Sequence, residues 1–120
     1  MEFVNLTPHS INIIDGKTFQ PSGIIARVAS ETKLVSVIDG IRITETVYGK
    51  PGVECGNDWT KPLPDPQDDV AYIVSLMLAS ACPDRADFYV PNESVRDSSG
   101  KVVGCKSLSR NPYYRNVPAV

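Results

Sequence analysis

Leu34-Val35-Ser36-Val37-Ile38-Asp39-Gly40-Ile41-Arg42-Ile43-Thr44-Glu45-Thr46-Val47-Tyr48 consists of two strand-forming runs joined by Asp-Gly. Asp-Gly supplies the positive φ angles of a type I′ turn, whose twist suits paired antiparallel strands. The stretch therefore predicts a hairpin of residues 34–38 with 41–48, and it makes the first half of the chain a sheet. Upstream, Phe3-Val4-Asn5-Leu6 is short and apolar, Thr7-Pro8-His9 breaks it, and Ser10-Ile11-Asn12-Ile13-Ile14 alternates before Asp15-Gly16. These two segments read as a further hairpin. After Pro21-Ser22-Gly23, the run from Ile24 to Ala29 is a strand whose Arg27 either faces solvent or meets an anion.

Downstream, residues 49–67 lose all apolar periodicity. Lys50-Pro51-Gly52 and Pro62-Leu63-Pro64-Asp65-Pro66 remove amide donors and favour extended chain, which predicts a long Pro-rich loop, acidic on balance, with Trp59 as a lid aromatic or a packed one. Val70 to Val74 reads as a buried strand and Ser75 to Cys82 as a short helix closed by Pro83, the alternative being one helix over residues 68–82. Phe88-Tyr89-Val90 is a strand ended by Pro91, with a loop after it. Lys101 to Leu108 is a strand pairing back on Val95-Arg96 across Ser98-Ser99-Gly100, and residues 109–120 form an extended arm. The fold class is α+β, a mainly antiparallel sheet with one short helix in a single domain of 120 residues. Its parts are residues 1–48 (strands and hairpins), 49–67 (loop), 68–108 (strand, helix, strands) and 109–120 (arm). A sheet this small leaves edges to cover, so a homo-oligomer, a dimer or larger, is expected.

Twelve Lys and Arg against fourteen Asp and Glu give a net charge of -2, too little positive charge for a protein that grips DNA by its phosphates. One small anionic ligand remains compatible. Cys55, Cys82 and Cys105 are odd in number and never spaced Cys-x-x-Cys, so no disulfide framework or zinc knuckle is expected. No apolar run reaches the length of a membrane span, and no basic signal peptide opens the chain; a soluble protein follows. The single histidine, His9, is too few for imidazole metal sites and removes the commonest hydrolase constellations. Composition favours binding over catalysis, with no cofactor and no metal.

Charge asymmetry marks the arm. From Lys101 onward there are Lys101, Lys106, Arg110 and Arg115 and no acid, with Tyr113 and Tyr114 between the two arginines. Guanidinium groups fork onto phosphate and aromatic rings stack on bases, so Arg110, Tyr113 and Arg115 suit a nucleotide clamp. The same residues would equally serve an arm that anchors on a neighbouring subunit. A second group is Phe88, Asn92 and Arg96. Alternation puts Phe88 and Val90 on one face and Tyr89 on the other, so one aromatic fills the core and the other is left for stacking, while Asn92 suits a base edge. Read plainly, the same residues are a strand, a turn and a surface Arg96–Asp97 pair. Thr7-Pro8-His9-Ser10 holds a hydroxyl and an imidazole but no orienting acid. Asp68-Asp69 reads as a cap or, with a divalent metal, as the centre of a phosphodiesterase.

Taken in order, Val4-Asn5-Leu6-Thr7-Pro8-His9, Pro21-Ser22-Gly23 with Ala26-Arg27-Val28, Pro64-x-Pro66 with Tyr72-Ile73-Val74-Ser75, Pro83-Asp84-Arg85-x-Asp87-Phe88-x-Val90-Pro91, and Val95-Arg96-Asp97 with Gly100 and Gly104-Cys105-x-Ser107-Leu108 resemble a family of small phage and prophage proteins. That family includes the Thoeris anti-defence proteins of the first type. The resemblance implies a sponge in the cytoplasm of the infected bacterial host, one that binds a cyclic ADP-ribose isomer made by TIR enzymes and does not cleave it. It also implies capture of cyclic oligonucleotides of the CBASS system at a separate site, in higher oligomers up to a hexamer. Carried onto this chain, it implies that Phe88 stacks on adenine, Asn92 bonds the base or ribose, Arg110 and Arg115 hold the pyrophosphate, and Arg27 serves the second site.

Overall fold

The computed structural model describes residues 1–55 and 58–115, with backbone alone at Cys55 and Asp58 to Thr60. Its elements are β1 (Glu2–Asn5), β2 (Ile11–Asn12), β3 (Thr18–Phe19), β4 (Ile25–Ile38), β5 (Ile41–Cys55), β6 (Asp58–Lys61), β7 (Val70–Ile73), α1 (Leu76–Ala81), β8 (Phe88–Arg96) and β9 (Val102–Arg110). The class is mixed α+β, mostly strand with one short helix.

β2–β3 and β4–β5–β6 pair antiparallel, as expected, whereas the four-stranded sheet of order β1-β7-β8-β9 is mixed. β1 runs parallel to β7 and β7 parallel to β8; β9 alone is antiparallel, closing a hairpin with β8. Thus Phe3 to Leu6 does not pair with the segment after it. It crosses the molecule to β7, and the turn at Asp15, whose φ is 61°, joins β2 to β3 instead. A parallel centre covered on both faces explains why β7 is apolar at successive positions. Tyr72 and Val74 face a core with Leu6, Ala26, Leu78, Ala79, Cys82, Phe88 and Val90, roofed by α1 and the base of β4. On the other face Phe3 packs against Phe19 of β3, with ring centroids 5.4 Å apart, and against Tyr89 at 5.9 Å. β2 lies against β9, where Ile14 donates its N–H to the Cys105 carbonyl.

α1 begins where expected. Ser75 has extended backbone and its Oγ accepts from the Leu78 N–H at 3.2 Å, so Ser75, not Asp68 or Asp69, is the cap. The long loop is shorter than residues 49–67. β5 runs through Pro51 to Cys55 and β6 returns along it, leaving residues 62–69 irregular. Pro51 is accommodated because the β4–β5 register skips there: Val28 faces Pro51 but Ser30 faces Tyr48, so no regular ladder bond is demanded of the proline. Pro91 does not end β8 either. The carbonyls of Asp87 and Tyr89 face β7, so the Pro91 nitrogen faces the same side, beyond the end of β7, where no ladder bond is lost.

From Ser30 to Tyr48 every residue of the β4–β5 hairpin is exposed. This arm raises the radius of gyration to 16.9 Å, against about 13.6 Å for a compact chain of this length.

Candidate functional site

Two local features of the sequence build the site. In β8, alternation sends Phe88 inward and Tyr89 to the opposite face; in β9, Arg110 is the Cα partner of Tyr89. Directly after β9, Asn111-Pro112 starts a turn that reverses the chain. The Asn111 N–H continues the ladder to the Phe88 carbonyl at 2.9 Å, and its side chain, 4% exposed, points under α1. There Nδ2 lies 2.9 Å from the Cys82 carbonyl, 3.2 Å from that of Arg85 and 3.4 Å from that of Ala79. Oδ1 accepts the Tyr113 N–H at 2.9 Å. One amide thus satisfies the carbonyls at the helix end and fixes the turn after β9. The Tyr114 N–H reaches the Asn111 carbonyl, and the Arg115 N–H reaches the Pro83 carbonyl at 2.8 Å.

The result is an open cleft of about 330 Å³ lined by Ala86, Tyr89, Arg110, Asn111 and Tyr114. Two tyrosines and one arginine are among its lining residues, the Tyr89 ring also packing against Phe3, and no acid lines it among the described residues. Neither Arg110 nor Arg115 forms an ion pair among the described residues. The volume is at the lower end of small-molecule sites. Such a surface can stack a planar group and hold an oxyanion; among the described residues that line it, no nucleophile is paired with a base.

The expected site residues are only partly brought together. Arg110 is in the cleft; Arg115 is not among the residues that line it. Tyr113 is 44% exposed outside the lining; Tyr114 takes its place. Phe88 requires correction as a stacking ring. It is fully buried, edge-on to Tyr72 at 6.1 Å and covered by the Arg85 guanidinium at 4.3 Å, so neither face is open to a base. Tyr89 is the aromatic that alternation leaves on the cleft side. Asn92 is exposed opposite Ser107, about 10 Å along β8 from Tyr89, and Arg96 sits about 23 Å along, where its Nη1 donates to the Gly100 carbonyl. Both lie off the cleft. Arg27 is on β4, half-exposed, 3.6 Å from Glu54.

The remaining motifs are architectural. Asn5, 2% exposed, donates through Nδ2 to the His9 and Phe19 carbonyls and accepts the Thr7 N–H at Oδ1. The Thr7 Oγ1 lies 2.7 Å from that same Oδ1. His9 enters this network by its carbonyl, which the Asn5 and Thr7 side chains approach, so these side chains and not an imidazole pair hold the Thr7–His9 kink. Asp69 accepts the Glu2 N–H at its carbonyl, and among the described residues no three His, Cys, Asp or Glu side chains cluster as metal ligands. The Trp59 side chain and residues 116–120 of the arm lie outside the described residues. No described helix is long and apolar enough to cross a membrane. Sequence reasoning missed Asn111 as the residue that holds the turn, for which Asn-Pro after a strand was the available signal; it gave the stacking role to Phe88 and the clamp to Tyr113, where Tyr89 and Tyr114 line the cleft. No protein-family model matches the chain, and neither a curated protein nor a solved structure matches it.

Proposed function

We propose that the protein is a phage anti-defence sponge that binds cyclic ADP-ribose-type immune signals in the cytoplasm of the infected bacterium and does not degrade them. The observation that carries this reading is the cleft in which Arg110 stands with Tyr89 and Tyr114 and with no lining acid among the described residues. The guanidinium suits the pyrophosphate and the phenol rings suit adenine or ribose. The ligand class itself rests on the ordered sequence blocks that resemble the Thoeris anti-defence proteins. In this reading the chain works as a homo-oligomer, and Arg27 contributes to a second site for cyclic oligonucleotides.

The test is recovery. The messenger produced by a TIR enzyme is incubated with the protein, the protein is removed by heat, and the supernatant is chromatographed. Intact messenger is expected; a linear product would show hydrolysis in place of sequestration. Arg110→Ala is expected to weaken binding by about 1.5–3 kcal/mol, the worth of a charge-assisted hydrogen bond. An unchanged titration isotherm would remove the cleft from the site.

A further inference from the structure

β2 comes close to β9 at Gly104. A Cβ there would stand 2.7 Å from the Asn12 carbonyl oxygen and 2.9 Å from Ile14 Cδ1, and the Cys105 thiol donates to that same carbonyl at 3.8 Å. Beside this contact, a cleft of about 350 Å³ remains between the segment His9 to Asn12 and the β8–β9 hairpin. It shares no lining residue with the Arg110 cleft, and its chemistry differs. Among the described residues no Asp, Glu, Lys or Arg lines it.

Its polar groups are held from behind. The His9 carbonyl accepts from Asn5 Nδ2 at 2.8 Å and from Thr7 Oγ1 at 2.9 Å, which fixes the backbone that carries the imidazole. Asn12 Oδ1 accepts from Thr18 Oγ1 at 3.1 Å, and Asn12 Nδ2 donates to the Val103 carbonyl at 3.2 Å. Each amide atom keeps one further hydrogen-bonding position, and a neutral imidazole brings one donor and one acceptor. The apolar part of the lining is Pro91 with Val102 and Val103, which are 48% and 42% exposed.

The structure assigns this cleft as a further binding site, for a small uncharged heterocycle with donor and acceptor groups, of the size of a nucleoside without phosphate. The charge of the lining selects that class. A phosphate placed here would give up hydration with no cation to meet it. A neutral ring covers the valines and the proline without that cost, and exchanges hydrogen bonds at its edge with His9, Asn12 and the Ser94 hydroxyl. The volume, at the lower end of small-molecule sites, suits a single ring system with a small substituent.

Adenosine is the probe, and AMP is its charged counterpart. When nitrogen-labelled protein is titrated with adenosine to about 10 mM, the amide signals of His9, Asn12, Ser94 and Gly104 should shift together and saturate, while AMP should bind there at least about tenfold more weakly. His9→Ala should weaken adenosine binding at these amides about tenfold, with circular dichroism unchanged. Val103→Lys puts a cation into the lining and should reverse the preference, so that AMP binds more tightly than adenosine. These signals are read separately from those at Arg110, so failure here and failure of sequestration are distinct outcomes. No saturable shift at the four amides, equal affinity for AMP in the wild type, full affinity in His9→Ala, or an unchanged preference in Val103→Lys would each overturn the assignment.

Discussion

Arg85 closes the core from above. Its Nε and Nη2 each lie 2.8 Å from an oxygen of Asp87, and its plane covers the Phe88 ring. The side chains are only 12% and 16% exposed, so Asp87 would be left poorly solvated without its partner. A fully buried pair broken on one side costs roughly 3–5 kcal/mol. Partial exposure lowers this, and Arg85→Ala should destabilise the protein by about 2–3 kcal/mol in urea unfolding; a loss below about 1 kcal/mol would make the pair a surface one. Asp97 behaves oppositely, at the turn end of the β8–β9 hairpin. The Ser99 hydroxyl at 2.6 Å, then the Lys101 and Ser99 N–H groups, hold its carboxyl below the usual 3.8. A carboxyl lowered on folding adds stability that is present above its unfolded pKa and is lost as pH falls through the folded value. Its NMR titration should have a midpoint under 3.8, with the Ser99 and Lys101 amides shifting together; a midpoint at or above that value contradicts the turn geometry. Burial first, then Asp84, raises the Cys82 thiol, so alkylation at neutral pH should require unfolding. At this scale the sequence was legible as alternation and blind to direction. It separated Phe88 from Tyr89, yet which of them faced inward depended on α1 and β4 arriving on one side of the sheet.

Between residues and the molecule stand the turn after β9 and the helix it caps. Asn111→Ala would leave the Ala79, Cys82 and Arg85 carbonyls without their shared donor in a buried place. The expected cost is about 2–3 kcal/mol. Because Asn111 also holds the Tyr113 N–H, the amides of Tyr114 and Arg115 should exchange with deuterium faster in this variant while those of β7 keep their protection. Unchanged exchange at Tyr114 would mean that the cleft is held by something other than this side chain. The elements most legible in sequence were those fixed by neighbours in the chain: the Asp39-Gly40 hairpin, the switch from β7 to α1 at Ser75, and the β8–β9 hairpin. The parallel pairing of β1 with β7 was not, because the partners are far apart and turn residues report only adjacent strands. The stretch from Gly49 to Lys61 looked like loop because Pro51 and Gly52 break periodicity. A register skip opposite Val28 to Ser30 lets β5 carry them.

At the scale of the molecule, the core and the arm are separable. The core cluster draws on β4 at Ala26 and Val28 and on nothing from Ser30 to Tyr48. Ser30 and Tyr48 are Cα partners, so residues 31–47 can be replaced by an Asn-Gly turn without moving the strands that enter the core. Removing exposed hairpin deletes no buried contact and shortens a loop whose closure entropy varies only slowly with length. The shortened chain should therefore unfold within about 1 kcal/mol of the full one. By small-angle scattering under conditions where the chain is monomeric, its radius of gyration should be about 13 Å, against 16.9 Å for one full-length protomer. A shortened chain that fails to fold would mean that the arm supports the core. The cleft at Arg110 is built by β8, β9 and the turn at Asn111, on elements the deletion leaves intact. Ligand binding by the shortened chain at full-length affinity would place the whole site outside the arm; a loss confined to binding, with the fold retained, would show that the arm contributes to it.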